Sequence, residues 1–359
     1  QSMYYFSIQK GRMNKATLDG SGNEIAGRRI DPIGIDKDDY LFINPFVLDP
    51  NNNNIMYLAG AKHLWRNDDL SAIPLTNQWD SISTNWVQWA DSVPKANSKI
   101  TAVTACKIPA NRVYYGTDKK KIYRVDNANT GTPTPVDITA TAFPATGYVS
   151  NIAVNPNNGD EVLVVFSNYS IYSLWYSNDA GLTWNKSAGN LEQNSVGGGT
   201  GASLRWAAFL PVSDGMVYLV ASSTGLYATD TLNGLNTVWV QQGENSIGKV
   251  VCDMIDVRTS DGLVVVATHA NGIYSTHITS VNDIVTVKQL PQTENNISVF
   301  PNPASDQATV SFTAKAAGRY TLELLDERGR RLRWQQITAI TGKNEISIPV
   351  NDLPSGTYY

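Results

Sequence analysis

The sequence predicts an all-β protein, and three observations carry that reading. Tyr (17) and Trp (9) are plentiful and only 17% of residues are charged, a composition that favours strands and turns over helices. A strand–turn–strand cassette recurs at near-even spacing. The last sixty-odd residues then abandon that cassette for short alternating strands separated by turn residues. At 359 residues the chain is long for one core, so two domains are expected. The boundaries read as a repeat region at 1–289, a polar, Pro-containing linker at 290–296 and a second domain at 297–359.

The cassette ends in a tight turn followed, in every copy but the first, by Ile or Leu and an aromatic residue. Its copies are Gly11-Arg12-Met13, His63-Leu64-Trp65, Lys121-Ile122-Tyr123, Ser173-Leu174-Trp175, Gly225-Leu226-Tyr227 and Gly272-Ile273-Tyr274. Successive anchors at 13, 65, 123, 175, 227 and 274 lie 52, 58, 52, 52 and 47 residues apart. Upstream of each later anchor runs an apolar strand such as Met56–Ala59, Val113–Gly116, Val162–Val165, Val217–Val220 or Leu263–Ala267. Before it comes a turn, clearest at Asp49-Pro50-Asn51-Asn52 and Asn155-Pro156-Asn157-Asn158, where Pro and Asn preset turn geometry. An earlier strand precedes the turn, as at Ile100–Cys106 and Val250–Val257. Three visible strands, with room for a fourth, make an antiparallel blade. Such a blade cannot cover its own faces, which is why it recurs. The expected architecture is therefore a six- or seven-bladed β-propeller of four-stranded blades. Residue 1 falls inside a repeat, so the expectation is a fragment of a longer chain.

The sharpest blade signature is Ser177-Asn178-Asp179-Ala180-Gly181-Leu182-Thr183-Trp184. Asp179 is expected to accept turn amide hydrogens, Gly181 to take positive φ and Trp184 to offer its ring to the next blade. This segment matches the Asp-box pattern, and the cassette resembles BNR/Asp-box and sortilin-like propellers over residues 1 to about 289. The resemblance implies that Ser177, Asp179, Gly181, Thr183 and Trp184 are a fold device at a blade rim. It says little about activity, because such propellers include hydrolases and non-catalytic receptors.

In the tail, strands are expected at 297–300, 308–312, 319–325, 331–336, 345–350 and 357–359, an Ig-like sandwich pattern with Phe312, Tyr320, Leu322 and Leu324 inward. Pro301, Asn302 and Pro303 open it; Asp326, Gly329 and Arg330 follow, then Gly342 and Asn344, then Leu353, Gly356 and Tyr358. In this order the motifs resemble the type A C-terminal sorting domain of type IX secretion cargo in Bacteroidota. That family continues past the final Tyr with another strand, so the last strand is expected to be missing here. The resemblance implies recognition by the type IX outer-membrane translocon and its cargo shuttle, and removal of the domain by a sortase-like peptidase. It implies a destination outside the cell or on the outer-membrane surface, reached through the periplasm.

Chemistry is sparse. Net charge is −4, which argues against a nucleic-acid partner. The basic clusters Lys119–Lys121 and Arg328–Arg331 read as solvated turns. No apolar run reaches the length of a membrane span. Cys106 and Cys252 sit on apolar stretches and read as free buried thiols. His63, His269 and His277 lack a metal-ligand spacing, and Asp36-x-Asp38-Asp39 falls short of a calcium loop. Gly197–Gly201 lacks the Lys-Ser/Thr of a phosphate loop. No cofactor or metal is expected.

Asp253 and Asp256 are the candidate carboxylate pair for a glycosidase, with Trp79, Trp86, Trp89 and Trp206 as sugar platforms or blade packing. The favoured expectation is a non-catalytic propeller that binds glycan or surface protein. The alternative is an Asp-box glycoside hydrolase acting on extracellular polysaccharide.

Overall fold

The computed structural model describes residues 2–90, 92–93, 98–192, 198–284, 297–326 and 330–358. It is all-β: among the described residues the helices are four single 3₁₀ turns. Among the described residues no helix is long and apolar enough to cross a membrane. The chain divides into two compact units, Gln1–Val287 and Lys288–Tyr359. The expected linker at 290–296 lies outside the described residues.

Among the described residues of the first unit six antiparallel sheets follow one another along the chain. The first holds β1 (Met3–Ile8), β2 (Arg12–Leu18) and β3 (Glu24–Arg29). The second holds β4 (Phe46–Asp49), β5 (Asn52–Gly60), β6 (His63–Asn67) and β7 (Trp86–Gln88). The third holds β8 (Ile100–Ala105), β9 (Val113–Thr117), β10 (Ile122–Val125) and β11 (Val136–Asp137). The fourth holds β12 (Val149–Asn155), β13 (Asn158–Phe166), β14 (Leu174–Ser177) and β15 (Asn185–Lys186). The fifth holds β16 (Leu204–Val212), β17 (Gly215–Ser222), β18 (Gly225–Thr229) and β19 (Val240–Gln242). The sixth holds β20 (Cys252–Arg258), β21 (Leu263–Thr268) and β22 (Ile273–His277).

Each of these six sheets is an up-and-down meander. The anchors Trp65, Tyr123, Trp175, Tyr227 and Tyr274 fall in the third strand of their sheets, whereas Met13 falls in the second strand of the first. The Asx chemistry of the turns is explicit. Asp49 Oδ1 accepts from Asn51 N–H at 2.8 Å and Asn155 Oδ1 from Asn157 N–H at 2.9 Å, each side chain standing in for a backbone turn acceptor.

Burial runs between successive sheets. Met13 and Ile30 pack with Met56, Leu58 and Trp65, joining the first sheet to the second. Tyr57, Leu64 and Trp89 pack with Val113, Tyr115 and Tyr123, joining the second to the third. A larger cluster runs through the third, fourth and fifth sheets around Tyr114, Val164, Trp175 and Phe209. Leu219, Ala221 and Leu226 pack with Cys252, Ile255 and Val266, joining the fifth to the sixth. Near-continuous apolar runs such as Val162–Phe166 follow from this, since both faces of those strands are covered. The first strands β4, β8, β12, β16 and β20 each contact the next in order. Four of them carry a register shift at the same place: between Ile100 and Ala102, Val149 and Asn151, Leu204 and Trp206, and Cys252 and Met254. These are bulges, which re-aim the extra residue.

The second unit has a three-stranded sheet, ordered β23 (Ser298–Phe300), β24 (Gln307–Ala314), β27 (Gly342–Pro349), and a two-stranded sheet of β25 (Gly318–Leu325) and β26 (Arg331–Ala339). Phe312 and Tyr320, one from each sheet, bring their ring centroids within 5.9 Å. Tyr320, Leu322 and Leu324 alternate with exposed neighbours and are half-buried. The strand expected at 357–359 is not formed among the described residues. Tyr358 makes only an isolated bridge to Asp326, and Tyr359 lies outside them.

Candidate ligand-binding site

The two candidate carboxylates come from one strand but have different surroundings. Asp253 is the extra residue of the β20 bulge, and Arg205 occupies the same place in β16. The repeat therefore sets them side by side: Arg205 Nη1 lies 3.3 Å from Asp253 Oδ1, and His269 Nδ1 lies 3.4 Å from its other oxygen. In the third sheet the equivalent residue Thr101 donates its hydroxyl to the Val149 carbonyl at 2.6 Å. At Thr101, Arg205 and Asp253 the bulge residue thus links neighbouring first strands, whereas Ser150 donates to the Val165 carbonyl of its own sheet at 3.4 Å. Asp256 is exposed and accepts from the Val257 N–H at 2.9 Å. Both carboxylates are engaged in local pairs, and no hydrogen bond joins one to the other.

A second location assembles what no short stretch of sequence displays. The β1–β2 turn is tied to the loop after β3 by Lys10 N–H donating to the Phe42 carbonyl at 3.1 Å. Gly11 has φ +66, and a Cβ added there would stand 2.0 Å from Tyr40 Cδ1, so only glycine lets that ring close over the turn. Between turn and loop lies a cavity of about 350 Å³ lined by Lys10, Arg12, Arg29, Asp31, Lys37 and Tyr40, among others. Arg29 grips Asp31 with two bonds, Nε to Oδ1 at 2.7 Å and Nη2 to Oδ2 at 2.8 Å. Asp31 is buried and also accepts from Met13 N–H and the Ser81 hydroxyl, so this wall is fixed. Its hydrogen bond holds the Arg29 guanidinium above its ordinary value.

Lys10 pairs with Asp38 at 3.0 Å and, by that bond first, holds the Asp38 carboxyl below the usual range. Among the described residues Arg12 and Lys37 make no ion pair. Burial, followed by the charge of Asp31, pushes the Tyr40 phenol well above its ordinary value. Its hydroxyl and Asn14 Oδ1 are buried without a hydrogen-bond partner. A signal for this site existed in the sequence: Lys10, Arg12, Lys15, Arg28, Arg29 and Lys37 place six of the 28 Lys and Arg within the first 37 residues.

The Asp-box residues lie between β14 and β15. Asp179 Oδ1 accepts from Thr183 N–H and the Ser177 hydroxyl, each at 2.8 Å, and Oδ2 from the Thr183 hydroxyl at 2.6 Å. Burial raises its carboxyl, but bonds from Thr183 and Ser177 outweigh that and leave it below the usual range. Gly181 takes φ +86. Trp184 departs from expectation. Its Nε1 donates to the Ile138 carbonyl at 2.9 Å and its ring stands 5.3 Å from Phe143, so it reaches the preceding sheet, not the next.

The other sequence candidates disperse. No group of three or more His, Cys, Asp or Glu converges on a metal site among the described residues. His63 binds the Trp89 carbonyl at 3.0 Å, and His277 lies 3.6 Å from Asp261. Cys106 and Cys252 are free and buried. Asp36 Oδ1 caps the Asp38 N–H at 2.9 Å. In the glycine-rich loop, Gly201 N–H donates to Glu192 at 3.0 Å, while Gly197 lies outside the described residues. Lys119 and Lys121 pair with Asp118 and Asp137. Trp89 is fully buried, and Trp86 and Trp206 pack beside the clusters; Trp79 is exposed.

The tail motifs are turn locks. Pro301, Asn302 and Pro303 form the turn after β23. Asp326 Oδ1 accepts from Arg330 N–H at 2.9 Å and Oδ2 from Arg330 Nε at 3.1 Å; Gly329 lies outside the described residues. Asn344 accepts from Ile340 N–H at 2.9 Å and donates to the Ile340 and Gly342 carbonyls at 2.8 Å, across Gly342 at φ +98. Leu353 N–H closes a turn on the Val350 carbonyl at 3.1 Å. Past Gly356, the Tyr358 hydroxyl donates to the Pro354 carbonyl at 2.6 Å.

Residues 298–359 match the secretion system C-terminal sorting domain. The sorting domain supports a type IX secretion cargo that carries its signal at this end of the sequence. It implies interaction with the type IX machinery and export to the cell surface or the extracellular space. No curated protein matches the chain.

Proposed function

We propose that this protein is a type IX cargo whose first unit is a six- or seven-bladed, Asp-box β-propeller that binds glycan or surface protein without turning it over. The six meander sheets, their adjoining first strands and the recurring bulge support the propeller reading. The two small sheets of the tail support an Ig-like sandwich. The cargo route runs through the periplasm and the outer-membrane translocon with its shuttle, and a sortase-like peptidase removes the tail. The observation that carries the binding reading is the cavity beside the β1–β2 turn, a ligand-sized space that Arg12 and Lys37 line without a salt bridge of their own among the described residues. By contrast, Asp253, the leading candidate for hydrolysis, is occupied by Arg205 and His269.

The test is to incubate the full chain with a panel of extracellular polysaccharides, measuring co-sedimentation and release of reducing ends together. Binding without release is expected. Turnover that disappears in Asp253→Asn would establish the hydrolase alternative instead.

A further inference from the structure

We propose that the cavity beside the β1–β2 turn binds a saccharide unit bearing a carboxylate or a sulfate. This rests on the binding reading above and narrows it to a ligand class. The cavity, at about 350 Å³, lies at the small end of ligand sites and suits one sugar ring. Its charge selects the ligand. Four cations line it against one carboxylate, Asp31, which Arg29 already grips in bidentate fashion. Lys10 is balanced by Asp38 at the rim. Arg12, and Lys37 beyond its attraction to the exposed Asp38 carboxylate, remain to meet an oxyanion, and a cation ligand is disfavoured.

An apolar wall argues for more than a free inorganic ion. Phe42 lines the cavity and is 66% exposed, the kind of surface on which the CH face of a sugar packs. Tyr40, in the same wall, stays protonated, and its buried hydroxyl lacks a partner. An extended polyanion tract fits poorly, since Asp36, Asp38 and Asp39 crowd the loop just outside and are exposed.

The experiment is isothermal titration of the full chain with three probes: galacturonate for the carboxylate, galactose 6-sulfate for the sulfate, and galactose as the neutral sugar. One anionic probe is expected to bind, with affinity falling as salt rises, and the neutral probe is not. In Arg12→Ala/Lys37→Ala the affinity should fall at least about ten-fold, the worth of one charged hydrogen bond. The urea midpoint should stay unchanged, because neither side chain makes an internal ion pair. Equal binding by that variant, or binding of the neutral probe alone, overturns the ligand class and leaves the binding reading standing. If the polysaccharide panel and the three probes all fail, both readings fall.

Discussion

Replacing Arg66 with Met removes a buried guanidinium that fastens the second sheet to the third. Arg66 lies on β6 with its side chain 2% exposed. It donates through Nη1 to the Ala128 carbonyl at 2.7 Å and the Gly131 carbonyl at 2.9 Å, both beyond β10, and its Nε pairs with Asp68. Met keeps most of the apolar stem, so the loss is polar. Ala128 is fully buried, and an orphaned carbonyl there costs about 1–3 kcal/mol. Gly131 and Asp68 are exposed enough to recover water, so the ion pair itself adds no more than about 1 kcal/mol. The expected destabilisation is about 1–4 kcal/mol. Urea unfolding of the full chain, followed by tryptophan fluorescence, measures it. Asp68→Asn alone should cost no more than about 1 kcal/mol. A loss below about 0.5 kcal/mol for Arg66→Met, within the range of ordinary surface changes, would refute the account of Arg66 as an inter-sheet fastener.

Gly11→Ala should destabilise by about 2–4 kcal/mol, from its left-handed backbone and the collision with the Tyr40 ring; a variant as stable as wild type would mean the ring moves freely. Burial pushes the Cys106 thiol up to about 12 and the Cys252 thiol up to about 11. Both should therefore resist a disulfide reagent at mildly alkaline pH and react after denaturation, and rapid labelling of the native protein would contradict this. The Asp179 carboxyl lies below its unfolded value, so its stabilisation is present above about pH 4 and is lost as pH falls through the folded value. The urea-midpoint gap between wild type and Asp179→Asn should accordingly shrink in acid; a gap that grows would reverse the sign. A reporter fused to the tail from residue 297 to the protein's natural C-terminus should leave the cell in a type IX-competent host, and retention in the periplasm would count against the tail as a sufficient signal.

Sequence alone determined what depends on neighbours along the chain. The alternation of β25, the Asx turns at Asp49 and Asn155, and the hydroxyl-to-carboxylate bonding of Ser177, Asp179 and Thr183 are all set within a few residues. Strand content, turn positions and the sorting motifs were legible for that reason. Relations across sheets were not. Trp184 turned toward the preceding sheet because Ile138 and Phe143 offer a carbonyl and a ring there. Asp253 meets Arg205 because bulges recur at matching places in β16 and β20, which no local pattern announces. The cavity lining runs from Ile8 to Ser81, joined by strand register and a loop folded back over Gly11. Local chemistry writes turns and strand faces into sequence, whereas a site built from distant segments exists only once packing has chosen which of them meet.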